Sequence, residues 1–192
     1  MIILSWNVRG LNSTCHQKFI HDLIVIHSPD VFCVQETKVS VEVMHQLAPC
    51  IWYAGHYQSI GSQGNSRGFS LLWDPRKISP LWWISSHYSI SMVATALDFG
   101  ETNFVTNVYA PIDIHGKIHL WDHIRYVPSC APYFPWILGG NFNSILSLEE
   151  KRGGWARLGS ASNIFQAQVD VLSVIDIKPS NGVFTWNNRQ SG

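Results

Sequence analysis

A chain of 192 residues has the size of one domain with a substantial core, since single cores run to roughly 100–200 residues. Charged residues make up only 14% and aromatic residues 12%, a balance that excludes a disordered or low-complexity chain. Thirteen Lys and Arg offset thirteen Asp and Glu, a net charge of +0. This excludes a protein that coats nucleic acid through overall basicity, but not one that holds it in a local groove.

In chain order, Ile2-Ile3-Leu4 predicts a buried strand whose polar tip emerges at Asn7. From His16 to His27, apolar residues at Phe19, Ile20, Leu23, Ile24 and Ile26 form one helical stripe, ended by Pro29. "DVFCVQE" predicts a second buried strand. The opening is therefore strand–helix–strand, with Asn7 and Glu36 each at the C-terminal end of its strand. In open α/β sheets, ligands gather beyond those ends. If the two strands are parallel neighbours, the two polar residues share one rim.

Ser40 to Ala48 predicts a short helix. β-like segments follow at Ile51–Tyr57, Gly68–Trp73, Leu81–Ser86, Ser91–Phe99 and Thr102–Tyr109, divided by the turn signals "GSQGNSRG", "DPRK" and "FGET". This middle region is expected to be largely antiparallel. "DIHGKIHLWDHIRYV" predicts a helix weakened by Gly116, and "PWILGG" a buried strand stopped by two glycines. Asn163–Leu172 predicts a helix and "GVFTWNN" a strand. Mixed α/β units around an antiparallel middle suggest an α/β fold with two sheets packed face to face and helices outside, in a single domain over 1–192.

Cys15, Cys33, Cys50 and Cys130 form no C-x-x-C pair and read as reduced thiols of an intracellular protein. No signal peptide, other targeting signal or membrane-length apolar run is visible. The expected location is the nucleus or cytoplasm, without a membrane partner.

Polar residues recur where apolar strands stop: Asn7 and Arg9 in "SWNVRG", Glu36 in "VQETK", Asn107 and Tyr109 in "TNVYAP", Asn141 and Asn143 in "LGGNFN". Carboxylate, amide and phenol groups, with few thiols or imidazoles, suit Mg²⁺ or Mn²⁺. Amide and phenol donors also suit phosphate oxygens. The set fits metal-assisted phosphoester hydrolysis. Singly, each residue has a plainer explanation: Asn as a turn former, Glu36 as a surface charge, Tyr109 as a core residue with its hydroxyl tied off, Gly139-Gly140 as a turn needing positive φ. The ordered series is what points to chemistry.

"SWNVRGLN", "DVFCVQETK", "RGFSLLW", "NVYAP", "LGGNFNSILSLEEKRGG" and "GVFTWNN" span nearly the whole chain. In that order they resemble the endonuclease/exonuclease/phosphatase superfamily, which includes DNase I and the apurinic-site endonucleases. The resemblance is closest to the endonuclease domain of plant long-interspersed-element (non-LTR) retrotransposons. It implies a DNase I-like, four-layer α/β sandwich of two packed mixed β-sheets flanked by helices, acting on the DNA phosphodiester backbone. It also implies roles for particular residues. Glu36 matches the main Mg²⁺ ligand, Asn7 the Asn that contacts metal or scissile phosphate, and Tyr109 the Tyr that hydrogen-bonds phosphate. Asn143 matches the Asn that orients substrate and a catalytic neighbour, and Arg9 braces the turn. Asn141 stands where active members carry the Asp that positions or deprotonates the attacking water.

An amide in that place has the shape of a carboxylate but neither its charge nor its basicity. The family pattern also continues beyond "FTWNN" with blocks that supply an Asp-His pair and closing strands, so the expected fold lacks the last strands. Hydrolysis is accordingly expected to be weak or absent. The alternative reading is a catalytically dead remnant that binds metal or nucleic acid; a third, a phosphatase of small molecules, fits "EEKRGG" poorly. For DNA contact the candidates are Arg67, Lys151, Arg152 and Arg157, which ordinary solvated loop charge explains equally well. Trp82 and Trp83 are candidates for base stacking, although adjacent strand residues face opposite sides and at least one is expected in the core.

Overall fold

The computed structural model describes residues 1–62, 68–151, 157–178 and 180. Strand β1 (Ile3–Asn7) leads into helix α1 (Thr14–His27), which ends on Ser28 in a left-handed cap whose N–H donates to the Ile24 carbonyl. Strand β2 (Val31–Gln35) returns parallel to β1, with Asn7 opposite Gln35. Helix α2 (Val41–Ile51) starts at Ser40, whose hydroxyl accepts from the Val43 N–H. Strands β3 (His56–Ile60) and β4 (Phe69–Trp73) are antiparallel, and the first sheet has the order β1-β2-β4-β3.

The second sheet begins with an antiparallel meander of β5 (Ile78–Ser85), β6 (Ser89–Ala96) and β7 (Thr102–Tyr109). Helix α3 (Ile114–Tyr126), capped by the Asp113 side chain on the Gly116 N–H, crosses over to β8 (Trp136–Asn141), which lies parallel to β7. Helix α4 (Ser160–Leu172) closes the described fold.

Three apolar layers hold these elements. Val31, Cys33, Phe69 and Leu71 of the first sheet meet Ile90, Met92, Ala94 and Val105 of the second. Phe32, Val34 and Leu72 point the other way, onto Ile20 and Ile24 of α1 and Met44 and Ala48 of α2. Val108 packs on Leu120, Trp121 and Ile124 of α3 and Phe165 of α4. Successive strand residues face opposite sides, so a strand between two cores must be apolar at nearly every position. That is why "VFCVQ" is buried throughout. Burial pushes the Cys33 thiol up to about 12, and all four cysteines are free. The result is the expected pair of mixed sheets flanked by helices. No helix among the described residues is long and apolar enough to cross a membrane.

Several expected boundaries shift. Ile51 is not the start of a strand. It is the last residue of α2, buried with Met44 and Ala48 despite Pro49, and the strand begins at His56. β5 starts at Ile78 rather than Leu81, and β6 spans Ser89–Ala96, because a turn closed by the Gly100 N–H on the Ala96 carbonyl takes Leu97–Phe99 out of it. The "PWILGG" strand does not stop at its glycines but runs through to Asn141. β1 and β8 are edge strands of the described sheets and only half-buried. In α1, Phe19 and Ile26 lie outside the buried stripe. "GVFTWNN" lies outside the described residues.

Candidate active site

The two parallel strand ends of the first sheet are tied together by side chains. The Asn7 amide nitrogen donates to Glu36 Oε1 at 2.9 Å, and Asn7 Oδ1 accepts the Arg9 N–H at 3.3 Å. The loops beyond the strands stay paired: the Val8 N–H donates to the Gln35 carbonyl and the Leu11 N–H to that of Thr37. Glu36 is buried, at 7% exposure, so its carboxylate is held by neighbours rather than solvated freely.

Backbone strain collects at the same place. Among the described residues, six non-glycine residues have φ in the left-handed region; Ser28 and Ser173 are helix caps. The other four are Arg9, Glu36, Lys38 and Asn143, and they follow β1, β2 and β8. A side chain in that conformation costs roughly 1–2 kcal/mol, so four at one rim mark a geometry imposed by tertiary structure.

On the second sheet, Tyr109 is the register partner of Asn141, and the Ala110 N–H donates to the Asn141 carbonyl at 2.8 Å. Asn141 Oδ1 accepts the Asn143 N–H at 3.0 Å, and the Asn143 amide nitrogen donates to the Ala110 carbonyl at 2.6 Å. The loop after β8 is thus folded back onto the end of β7. Gly140, with φ +133°, lies where any Cβ would collide with the Val108 backbone, which fixes the close approach of the two strands.

One buried contact ties the two sheets together beside these strand ends. Gln35, the residue before Glu36, donates through Nε2 to Asn107 Oδ1 at 2.7 Å. Asn107, two residues before Tyr109, donates to the Ser70 carbonyl at 2.8 Å and to that of Val34 at 3.4 Å. Both side chains are fully buried between the sheets, and Gln35 also reaches Ser5 Oγ at 3.2 Å. The Phe69 and Tyr109 rings meet across the same gap, 6.3 Å apart. The C-terminal ends of β1, β2, β7 and β8 therefore lie at the same edge of the sandwich, with Asn7, Arg9 and Glu36 on one sheet and Tyr109, Asn141 and Asn143 on the other. Asn107, expected on the rim, is instead inside the sandwich, because Val105, Asn107 and Tyr109 alternate inward along β7.

Sequence reasoning passed over two further side chains, Gln35 and Lys117. Gln35 was masked by its apolar run. Lys117 is 1% exposed, and its ammonium donates to the Phe142 carbonyl at 2.9 Å, the Asn143 carbonyl at 3.0 Å and Ser144 Oγ at 2.9 Å. Burial pushes its pKa below the ordinary lysine value, partly countered by the Asp113 charge. A signal for it existed: Lys117, Leu120, Trp121 and Ile124 share the i, i+3, i+4, i+7 stripe of α3, and a lysine there needs partners.

The DNA-contact candidates are not gathered in this way. Lys151 and Arg157 are exposed loop residues, and Arg67 and Arg152 lie outside the described residues. Trp82 packs its ring on Phe104 at 5.7 Å as part of the core, whereas Trp83 is half-exposed beside Trp73.

No group of three or more His, Cys, Asp or Glu side chains gathers among the described residues, so the rim offers no nitrogen- or sulfur-rich centre. A single carboxylate among amide and phenol oxygens fits a hard cation that retains several waters, Mg²⁺ or Mn²⁺. In this geometry the Asn7 nitrogen faces Glu36 and its oxygen faces Arg9, an arrangement that orients the carboxylate.

A profile of the endonuclease/exonuclease/phosphatase family matches residues 4–192. The chain belongs to this family. Solved structures agree on the DNase I-like fold. The endonuclease domain of TRAS1, a telomere-specific non-LTR retrotransposon, superposes with a TM-score of 0.66 at 10% identity, covering 88% of this chain and 71% of that one. A mannosyl-6-phosphatase from Bacteroides thetaiotaomicron gives a TM-score of 0.62 at 13% identity, with 88% and 70% covered. An endonuclease/exonuclease/phosphatase family protein from the same organism gives 0.60 at 14% identity; the match covers 74% of this chain and 63% of that protein. A comparison with curated proteins finds no match.

Proposed function

We propose that this family member is a Mg²⁺-dependent phosphodiesterase of the retrotransposon DNA-nicking type, weakened at one position. The observation that supports this reading is the Gln35–Asn107 bond, which ties β2 just before Glu36 to β7 just before Tyr109. The fold likeness to a retrotransposon endonuclease domain supports the nucleic-acid substrate, and the motif series supports the plant-element lineage.

Glu36 would hold the divalent cation, with Asn7 fixing the carboxylate through its 2.9 Å bond. A cation there would supply charge neutralisation at the phosphate. Tyr109 would donate to a phosphate oxygen. Asn143 has its amide nitrogen engaged by Ala110, so it would orient its neighbours through that fixed frame. Arg9 braces the turn after β1. Asn141 accepts the Asn143 N–H, but an amide cannot take a proton from water, and general-base assistance is worth about 10²–10⁴ in rate. Hydrolysis by this chain is therefore slow or absent, while cation and nucleic-acid binding persist. That same amide favours the second reading, a metal- or nucleic-acid-binding module without turnover, in which Arg67, Lys151 and Arg152 would contact phosphates.

Supercoiled-plasmid nicking with Mg²⁺ or Mn²⁺ separates the two, run on the chain, Asn141→Asp and Glu36→Ala. Asn141→Asp is expected to raise metal-dependent nicking at least 10²-fold, and Glu36→Ala to abolish it along with Mn²⁺ binding by calorimetry. Binding of DNA and Mn²⁺ with no nicking by any version would leave the binding module. Loss of neither binding nor nicking in Glu36→Ala would refute both.

A further inference from the structure

Lys117 is a charged side chain sealed inside the molecule, and its contacts are concentrated on one short loop. All three ammonium donors are used, two of them on the consecutive carbonyls of Phe142 and Asn143 and the third on Ser144 Oγ. No carboxylate lies within ion-pair distance of it among the described residues; Asp113 acts only through its field. An ammonium loses hydration when buried and is tolerated only where hydrogen bonds replace the water. The arrangement is costly unless the loop needs it.

The loop does need it. Asn143 lies in the left-handed region at φ +46°, which Asn adopts more readily than other residues with a Cβ but as a single residue held by local hydrogen bonds. The carbonyls on either side of it both reach the one Nζ. The peptide unit whose carbonyl is that of Phe142 carries the Asn143 N–H, which donates to Asn141 Oδ1 at 3.0 Å. A cation on the carbonyl end of a peptide strengthens the donor at its other end, since hydrogen bonds in series polarise one another. The chain of contacts thus runs from Lys117 through the 142–143 peptide to the Asn141 side chain, and from the same turn through the Asn143 amide to Ala110 beside Tyr109.

We infer that Lys117 is a positioning residue that holds the Asn141–Ser144 loop in its strained turn and so aims the side chains of Asn141 and Asn143 at the rim. This rests on reading Asn141 and Asn143 as part of the site. It assigns to α3, which contributes no group to the rim itself, the task of setting half of it.

The test uses the full chain and a readout independent of turnover: hydrogen exchange of the Asn143 amide, followed by NMR beside core amides of β2 such as Phe32 and Val34. Lys117→Met keeps the length and removes every donor; Lys117→Arg keeps the charge. The expected result is a tenfold or greater loss of protection at Asn143 in Lys117→Met, unchanged protection in β2, and substantial recovery in Lys117→Arg. In an Asn141→Asp background, Lys117→Met should lower kcat for nicking by about 10–100-fold, as ångström-scale misplacement does, with KM within threefold. Unchanged Asn143 exchange in Lys117→Met would overturn the inference. So would a parallel loss of protection in β2, which would make Lys117 a general stabiliser. If Asn141→Asp never nicks, the functional reading fails by itself, and the exchange result still decides the role of Lys117.

Discussion

Replacing Asn107 with Leu tests the join between the two sheets. The shapes are similar, so the change is chiefly chemical. It removes the 2.7 Å acceptor for Gln35 and the 2.8 Å donor to the Ser70 carbonyl; the 3.4 Å contact to Val34 is too long to matter much. Two buried groups lose a partner, the Ser70 carbonyl and one N–H of the Gln35 amide, whose other bond to Ser5 Oγ remains, at about 1–3 kcal/mol each, while added apolar contact recovers about 1 kcal/mol. The net loss is about 1–5 kcal/mol, or roughly 2–20 °C in Tm for a chain of this size. Adding Gln35→Leu removes one of the stranded groups, so the double variant should be more stable than the sum of the two single changes by about 1–2 kcal/mol. Urea unfolding of the four proteins measures the cycle. A loss below about 1 kcal/mol for Asn107→Leu, together with strict additivity, would show that the amide bridge does not join the sheets.

Further outcomes follow from other contacts. Gly140→Ala sets a methyl group against the Val108 backbone at φ +133°; it should cost more than about 4 kcal/mol and yield insoluble or unfolded protein, and a well-folded variant by circular dichroism would contradict the close approach of β7 and β8. Asp74, nearly buried, accepts from Arg76 Nε at 2.9 Å and from its NH2 at 2.7 Å, and that hydrogen bonding, ahead of the Arg76 charge, holds its carboxyl below the usual value. The stabilisation is complete above the ordinary Asp pKa of about 3.9 and is lost as pH falls through the lower folded value. Asp74→Asn should therefore cost stability at pH 7 and progressively less below pH 4; an equal cost at pH 7 and pH 3 in urea titrations would refute the linkage. Cys15 and Cys50 are exposed and Cys33 is buried with its thiol raised to about 12, so a disulfide reagent should label the first two in the native protein and Cys33 only on unfolding. Labelling of native Cys33 at the rate of Cys15 would refute its placement in the inter-sheet core.

Legibility in the sequence followed burial. β2 and β7 lie between two apolar layers, and their composition announced them; Thr102–Tyr109 has the same bounds in sequence and structure. The edges were harder. Ile51 and Trp52 look like the start of a strand, yet they close a helix because its last turn completes the cluster with Met44 and Ala48. Edge strands β1 and β8 looked buried because their residues are apolar, although one long side of each lacks a partner among the described residues. The candidate residues at strand ends were readable as a series, since polar groups ending apolar runs stand out locally. Their partners were not: nothing in "VFCVQE" says that Gln35 points at Asn107, 72 positions later.

The chain's local chemistry thus determined which segments form strands and helices and which family pattern they follow, because each of these depends on residue type and near-neighbour spacing. Tertiary packing alone decided that Asn107 lies inside while Tyr109 reaches the rim, that Asn7 turns its nitrogen toward Glu36, and that a buried Lys117 grips the loop of Asn143. Those facts depend on how two twisted sheets and a crossing helix meet in space, and a hydrogen bond between distant residues leaves no periodic trace in the sequence that encodes it.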